Sequence, residues 1–207
     1  EQAFNDILNT LKHLNYNVSW FLLNANDYEV PQDRKRVIIV GYHKKLAKNF
    51  TLPAIISSKL NLKDVIWDLR NSAKIANKNN KLQITNHEYM IGGFSSMYMA
   101  RNRVRSWNEP SFTIQASGRH APLHPQAPKM QFVTQDKRIF APSKEYLYRR
   151  LSVRECARIQ TFPDNFIFKY QHIVHGYKMV GNAVPVNLAY HLAKKIYQDL
   201  KNFHNIM

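Results

Sequence analysis

The strongest constraint on how this chain folds is a pair of apolar runs of strand length. VSWFLL (18–23) and RVIIVGY (36–42) are joined by the polar loop NANDYEVPQDRKR (24–36). Both runs are continuous rather than alternating and rich in β-branched and aromatic residues, the pattern of strands in a sheet covered on both faces. Just upstream, Phe4, Ile7, Leu8, Leu11 and Leu14 recur at three- and four-residue steps, which predicts an amphipathic helix over 2–14. At the far end Leu188, Ala189, Leu192, Ile196 and Leu200 share one face of a helix expected over 185–203, with Pro185 in the first turn, where a missing N–H costs nothing. Helix, strand, loop and strand at one end and a helix at the other define an α/β chain.

The middle reads differently. Short β-like runs, the Asn/Lys stretch ANKNNK (76–81) and the proline cluster APLHPQAPK (121–129) predict an irregular, β-rich segment, with the Asn/Lys stretch as a solvated loop. The expected division is 1–46, 47–147 and 148–207, the outer parts belonging together and the middle inserted. Regular structure returns where Ser152 and Glu155 stand three apart as a capping box, starting a short helix that contains Cys156 and ends near Phe162-Pro163.

Charge narrows the partner. Thirty Lys and Arg against fourteen Asp and Glu leave a formal +16, an excess that calls for a polyanion. Nucleic acid fits better than a membrane surface, because no Lys-rich helix carries a bulky apolar face. The longest apolar runs, such as Val37 to Val40, fall far short of the roughly 20 residues of a membrane span. A single cysteine excludes an internal disulfide, and no basic segment with an apolar signal core opens the chain, so a cytoplasmic location is expected. The sequence begins at Glu1 inside a helical pattern, which is expected of a fragment. Nothing in it calls for a metal.

Four places carry candidate chemistry. Arg34 and Arg36, two apart, point to one face if the backbone is extended, where they could hold a phosphate or a base edge; a solvated turn is the alternative. Arg101, Arg103 and Arg105 form a ridge if RNRVR is a strand, and arginine forks onto guanine O6 and N7; a generic basic surface is the alternative. Arg119 follows Ser117-Gly118, a small pair that would let backbone approach a ligand. Gly181 and Asn182 precede a helix whose free N–H groups are a site for an anion or simply a cap. Cys156 has no histidine near it in sequence and reads as a core residue.

Taken in order, PQDRKRVIIVG, RRLSVRECARIQTFPDNF and GNAVPVNLAYHLA resemble the eighth, ninth and tenth conserved blocks of the DNA cytosine-5 methyltransferases, with a target-recognition domain between the first two. LLNANDY, DVIWDL, RNRVRSWNEPSFTIQASGR, LHPQAP and YKMVGNAVPVNLAY extend the resemblance to the HaeIII-type modification methylases that act on GGCC. The resemblance implies the C-terminal portion of a Rossmann-like methyltransferase domain that uses S-adenosylmethionine on a flipped cytosine in double-stranded DNA. It implies that Arg36 holds the cytosine, with Arg34 shaping that pocket and Gln32 orienting the loop. Asn182, Ala183 and Val184 would touch the cofactor. Arg101, Arg103, Arg105 and Arg119 would face DNA, and Met97 and Tyr98 would fill the base stack. The family's nucleophile is the cysteine of a Pro-Cys pair, which this sequence lacks, so the chain alone is expected to be inactive. A specificity subunit that joins a separate N-terminal catalytic half, and a remnant that only binds DNA, are the rival readings.

Overall fold

The computed structural model describes residues 2–77 and 81–204, without the side chains of 202–204, so part of the expected Asn/Lys loop lies outside the described residues. Helix α1 (Gln2–His13) leads into strands β1 (Tyr16–Asn24) and β2 (Lys35–His43). The irregular middle holds α2 (Leu62–Ile66), β3 (Lys74–Ile75), β4 (Glu88–Tyr89), α3 (Ser96–Met99), β5 (Gln131–Thr134) and β6 (Lys137–Ile139). Helices α4 (Val153–Ile159), α5 (Ile173–Asn182) and α6 (Val186–His204) close the chain.

Strands β1 and β2 pair antiparallel from Tyr16 opposite His43 to Asn24 opposite Lys35. Side chains alternate between faces. Phe21, Leu23 and Ile38 pack with Ala25, Tyr28, Val30 and Leu188 of α6, and Phe4 of α1 meets Trp20 edge-on at 5.2 Å. The expected sheet covered on both faces is not what forms. The hairpin is two-stranded, and Trp20, Leu22 and Val37 on its other side remain 51%, 62% and 50% exposed. Continuity of the apolar run therefore marks a second face that α1 covers only in part, through Phe4 on Trp20.

The largest core joins the middle to the end of the chain. Leu62, Ile66 and Leu69 pack with Ile114 and Ala121 from the middle and with Leu151, Cys156, Ile159, Tyr177 and Val180 from α4, α5 and their approach. A smaller cluster gathers Tyr98, Val104, Leu123, Met130 and Tyr148. Three backbone segments meet at isolated bridges, Val104 with Leu123 and Leu123 with Arg150.

The capping box at the start of α4 is complete: Glu155 N–H donates to Ser152 Oγ at 3.1 Å, and Ser152 N–H to Glu155 Oε2 at 2.8 Å. The helix ends at Ile159, earlier than the expected Phe162, with Thr161 at a left-handed φ of 60°. Glu155 is fully buried, and Arg149 grips both its oxygens at 2.8 and 2.7 Å. Burial opposes its charge, but Arg149 overrides that and the carboxyl falls to about 2.

Two buried histidines flank this pair. His87 Nε2 lies 3.1 Å from Leu69 O, which can only accept, so Nε2 carries the proton and Nδ1 accepts from Ser152 Oγ at 2.8 Å. His124 Nδ1 accepts from Gln126 N–H at 3.2 Å, leaving Nε2 3.5 Å from Glu155 Oε1. Burial lowers both, against the pull of Glu155, and His124 falls to about 3. In the unfolded chain a histidine takes up its proton near pH 6.5, so the stability due to its neutral buried form is present above that value and lost as pH falls below it. Unfolding free energies from urea titrations should therefore fall from about pH 6.5 to pH 4, approaching about 1.4 kcal/mol for each pH unit from His124 alone. In His124→Gln the slope should flatten; an unchanged slope would remove His124 from this account.

Candidate functional site

The loop between β1 and β2 is tied into the body of the protein through two buried side chains. Gln32 Nε2 donates to Gln160 Oε1 at 3.2 Å, and Gln32 Oε1 accepts the Ile114 N–H at 2.8 Å. Gln160 in turn donates to Val180 O at 2.8 Å. Arg34 reaches across the same seam, with Nη1 on Ile114 O at 2.8 Å and Nη2 on Gly181 O at 2.9 Å and Ala183 O at 3.4 Å. Burial lowers the Arg34 guanidinium to about 10, with the Arg36 charge second. Three segments distant in sequence, 32–34, 114–116 and 180–183, are thus held at one point.

Gly181 is what allows the approach. A Cβ there would lie 2.3 Å from both the C and O of Gln115 and 2.4 Å from Ala116 N, all backbone atoms. Gly181 and Asn182 form the last turn of α5 rather than a loop ahead of α6, a correction to the sequence reading. The start of α6 is not an open anion site either. Val186 N–H donates to Gln160 O at 3.0 Å and Asn187 N–H to Thr161 Oγ1 at 2.9 Å, so the end of α4 caps α6. What the turn exposes is the side chains of Asn182 and Val184, with Ala183 half-buried between them.

Arg36 sits in β2 opposite Leu23 and is exposed, and among the described residues its guanidinium donates to Lys35 O at 2.7 Å. Arg34 and Arg36 therefore play different parts, the first as an internal fastener and the second as a group free for a ligand.

RNRVR is not a strand; within it only Val104 makes a bridge. The expected ridge of three like arginines becomes three environments. Arg101 is exposed. Arg103 lies over the Tyr98 ring at 4.7 Å and donates to Tyr98 O at 2.9 Å and Met97 O at 3.3 Å. Arg105 bridges Asp33 at 2.9 Å and Glu109 at 3.2 Å and covers Phe112 at 4.2 Å, so its charge is spent inside. Glu109 falls to about 2, through the Ser106 backbone N–H first. Arg101 and Arg103 line a recess of about 250 Å³ with Asp33, Phe112, Gln115 and His120. Asp33 immediately precedes Arg34, so this recess is where the β1–β2 loop and the arginine segment meet.

Arg119 is exposed in a short 3₁₀ turn, Gly118–His120. Gly118 does not open a path to a ligand as expected; its missing Cβ makes room for Tyr177 at 2.7 Å and the Met90 sulfur at 2.9 Å. Met97 is 75% exposed at the tip of α3, whereas Tyr98 is buried at 1% and donates to Ala121 O, so Tyr98 does not reach a base stack. Cys156 is fully buried, and burial pushes its thiol well above the usual range, with the Glu155 charge second.

Sequence reasoning missed Gln160, Ile114, Asp33 and His120. Asp33 stands inside PQDRKR and was visible there; Gln160 follows RECARI with no signal of its own.

The family profile described as C-5 cytosine-specific DNA methylase matches residues 1–198. The chain is similar to the type II methyltransferase M.MthTI of Methanothermobacter thermautotrophicus, 56% identical over 98% of this chain and 62% of the relative. It is also similar to M.FnuDI of Fusobacterium nucleatum, 50% identical over 99% of this chain and 62% of the relative. It thus spans about three-fifths of the length of these relatives. Among solved structures, a DNA modification methyltransferase from an E. coli prophage superposes with a TM-score of 0.64 at 18% identity, covering 97% of this chain and 66% of that one. An Entamoeba histolytica methyltransferase superposes with 0.60 at 14%, covering 95% and 58%. At such identities the likeness speaks for a shared methyltransferase fold alone. Among the described residues no helix is long and apolar enough to cross a membrane.

Gly181→Ala should destabilise the chain by about 2 kcal/mol or more, since backbone cannot step aside as a side chain can. Gly176→Ala, whose Cβ would first meet a side chain, the Tyr170 ring at 2.6 Å, should cost less in the same urea titration. Equal costs would mean that the seam at Gln115 yields.

Proposed function

The chain belongs to the C-5 cytosine-specific DNA methylases, and from that premise we propose that it supplies target recognition and part of the cytosine and cofactor pockets of a type II modification enzyme acting on GGCC. The observation that carries this reading is the recess at which Asp33, next to Arg34, meets Arg101 and Arg103. A loop that handles a flipped cytosine and arginines that read neighbouring guanines must lie within a few base pairs of each other, and here they share one wall. The stretch 47–147 carries recognition, and 1–46 with 148–207 carries the pockets.

In this reading Arg36, free at the surface, holds the O2 side of the cytosine, while Arg34 and Gln32 fix the loop from behind. Arg101, Arg103 and Arg119 approach guanines, and Met97 enters the stack. Arg105 supports the recess wall through its pairs with Asp33 and Glu109. S-adenosylmethionine, when bound, supplies the methyl group. Asn182 and Val184, exposed beyond α5, are the side chains placed to meet its amino-acid end. No metal enters.

The reaction would add a cysteine thiolate to cytosine C6, take the methyl group at C5 from a sulfonium donor that leaves as the thioether, and lose the C5 proton as the C6–sulfur bond breaks and releases the thiolate. Cys156 is buried with its thiol pushed up and is unsuited to the attack. The attacking thiolate then comes from sequence outside these residues. The side of the hairpin with Trp20, Leu22 and Val37, which α1 leaves half exposed, supports a companion catalytic segment seated there. The enzyme would work on DNA in the cytoplasm.

Tritiated methyl transfer to a GGCC duplex tests this. The chain alone should transfer nothing, and mixing it with the N-terminal segment of a relative should restore transfer. Transfer by the chain alone would overturn the assignment of Cys156. No transfer from a mixture whose parts associate would leave a module that only binds DNA.

Arg101→Ala should weaken binding to GGCC by about 1–3 kcal/mol and relax selectivity at one guanine. A loss equal on all duplexes would make Arg101 a phosphate contact instead.

A further inference from the structure

Arg150 is a buried cation without a carboxylate partner among the described residues. It is 2% exposed, and its guanidinium collects the carbonyls of the turn that leads into α3: Met90 O at 3.4 Å, Gly92 O at 3.1 Å and Gly93 O at 3.0 Å. Gly92 takes a φ of +130°, a conformation that side chains avoid, so the turn is shaped to present those carbonyls. The flat face of the same guanidinium lies 4.2 Å from the centroid of Phe94.

From Phe94 the contacts continue. Its ring is 5.1 Å from the Tyr98 ring, tilted by 31°. Tyr98 is locked by its hydroxyl on Ala121 O at 2.7 Å. The Arg103 guanidinium lies over Tyr98 at 4.7 Å and ties its Nε to Tyr98 O. Two arginines thus hold the two ends of one aromatic pair, one deep in the protein and one at the recess. A backbone route runs in parallel, since Leu123 bridges both Val104 and Arg150, and Leu123 N–H donates to Arg103 O at 2.9 Å.

We propose that Arg150 is a positioning residue for recognition: through Phe94 and Tyr98 it fixes the direction in which Arg103 presents its guanidinium, and so governs discrimination between sequences without touching DNA. The inference rests on the reading of Arg103 as a guanine reader. A fork that must meet O6 and N7 together depends on angle, whereas a contact to phosphate tolerates a swing of the side chain. Loss of the relay should therefore act on selectivity and spare the general attraction of a basic surface for DNA.

The test measures binding of the full chain to a GGCC duplex, to the same duplex with 7-deazaguanine, which lacks the N7 acceptor, and to an unrelated duplex. Phe94→Leu removes the aromatic link but leaves the Arg150 hydrogen bonds to the turn, and Phe94→Tyr restores a ring. Arg150→Met removes the buried charge; where it fails to fold, as far-UV circular dichroism would reveal, the Phe94 pair decides alone. The preference of the unaltered chain for guanine over 7-deazaguanine should be about five- to a hundredfold, the span of one bidentate contact. Phe94→Leu should lose most of that preference with little change on the unrelated duplex, and Phe94→Tyr should keep it. In an Arg103→Ala background Phe94→Leu should have no further effect. Full preference in Phe94→Leu, an equal loss on all three duplexes, or an additive effect with Arg103→Ala would overturn the positioning role. If Arg103→Ala itself keeps the preference, the reading of Arg103 fails and the inference falls with it.

Discussion

The structure depends on one guanidinium. Arg34 hydrogen-bonds the carbonyls of Ile114, Gly181 and Ala183, and with Gln32 it joins the β1–β2 loop to the middle of the chain and to the end of α5. The carbonyls of Gly181 and Ala183 stand at the C-terminal end of α5, where helix carbonyls lack intrahelical partners, and a carbonyl left unsatisfied in the interior costs about 1–3 kcal/mol. A planar group with several donors satisfies them together, which a lysine could not do with the same geometry. Arg36, opposite Leu23, stands on the same face of the hairpin as Phe21, Leu23 and Ile38 and is nevertheless exposed.

Several other arginines are used in the same manner. Arg154 donates to the carbonyls of Thr85, Pro163 and Phe166, and Arg149 grips Glu155. Arg158 joins Asp68 and Asp164. In a chain with so little regular structure between β2 and α4, carbonyls outnumber the ladders that could receive them, and arginine supplies the missing donors. Hydrogen bonds to carbonyls leave the net +16 unchanged but keep these guanidinium groups from touching a partner. The basic surface that remains is drawn more from lysines and from Arg36, Arg101 and Arg119 than from the total.

Much of the outer architecture was legible in the sequence. The step pattern of Phe4 to Leu14 gave α1 nearly to the residue, Leu188 to Leu200 gave α6, and Ser152 with Glu155 gave the start of α4. These succeed because periodicity and caps are local. Helix α5 was not seen, because Gly176 and Gly181 lower helix propensity and only contact with Tyr170 and Gln115 explains them. RNRVR alternates like a strand, yet what each arginine does is set by Tyr98, Asp33 and Glu109, which lie elsewhere in the chain. The separation of the middle from the end was read from texture, whereas the largest core takes Leu62 and Ile114 on one side and Leu151 and Tyr177 on the other. Of the candidate site, the residue types were readable and their division into fasteners and free groups was not.

The sealed position of Cys156 has a practical side. Toward reagents that attack thiolates, the folded protein behaves as though it had no cysteine, since its one thiol is out of contact with solvent and burial favours its protonated form. A cysteine introduced at an exposed position would then be the single attachment point for a fluorophore or spin label, with no native residue to replace first. In the unaltered chain, conversely, the rate at which Cys156 is alkylated counts how often the core around α4 opens.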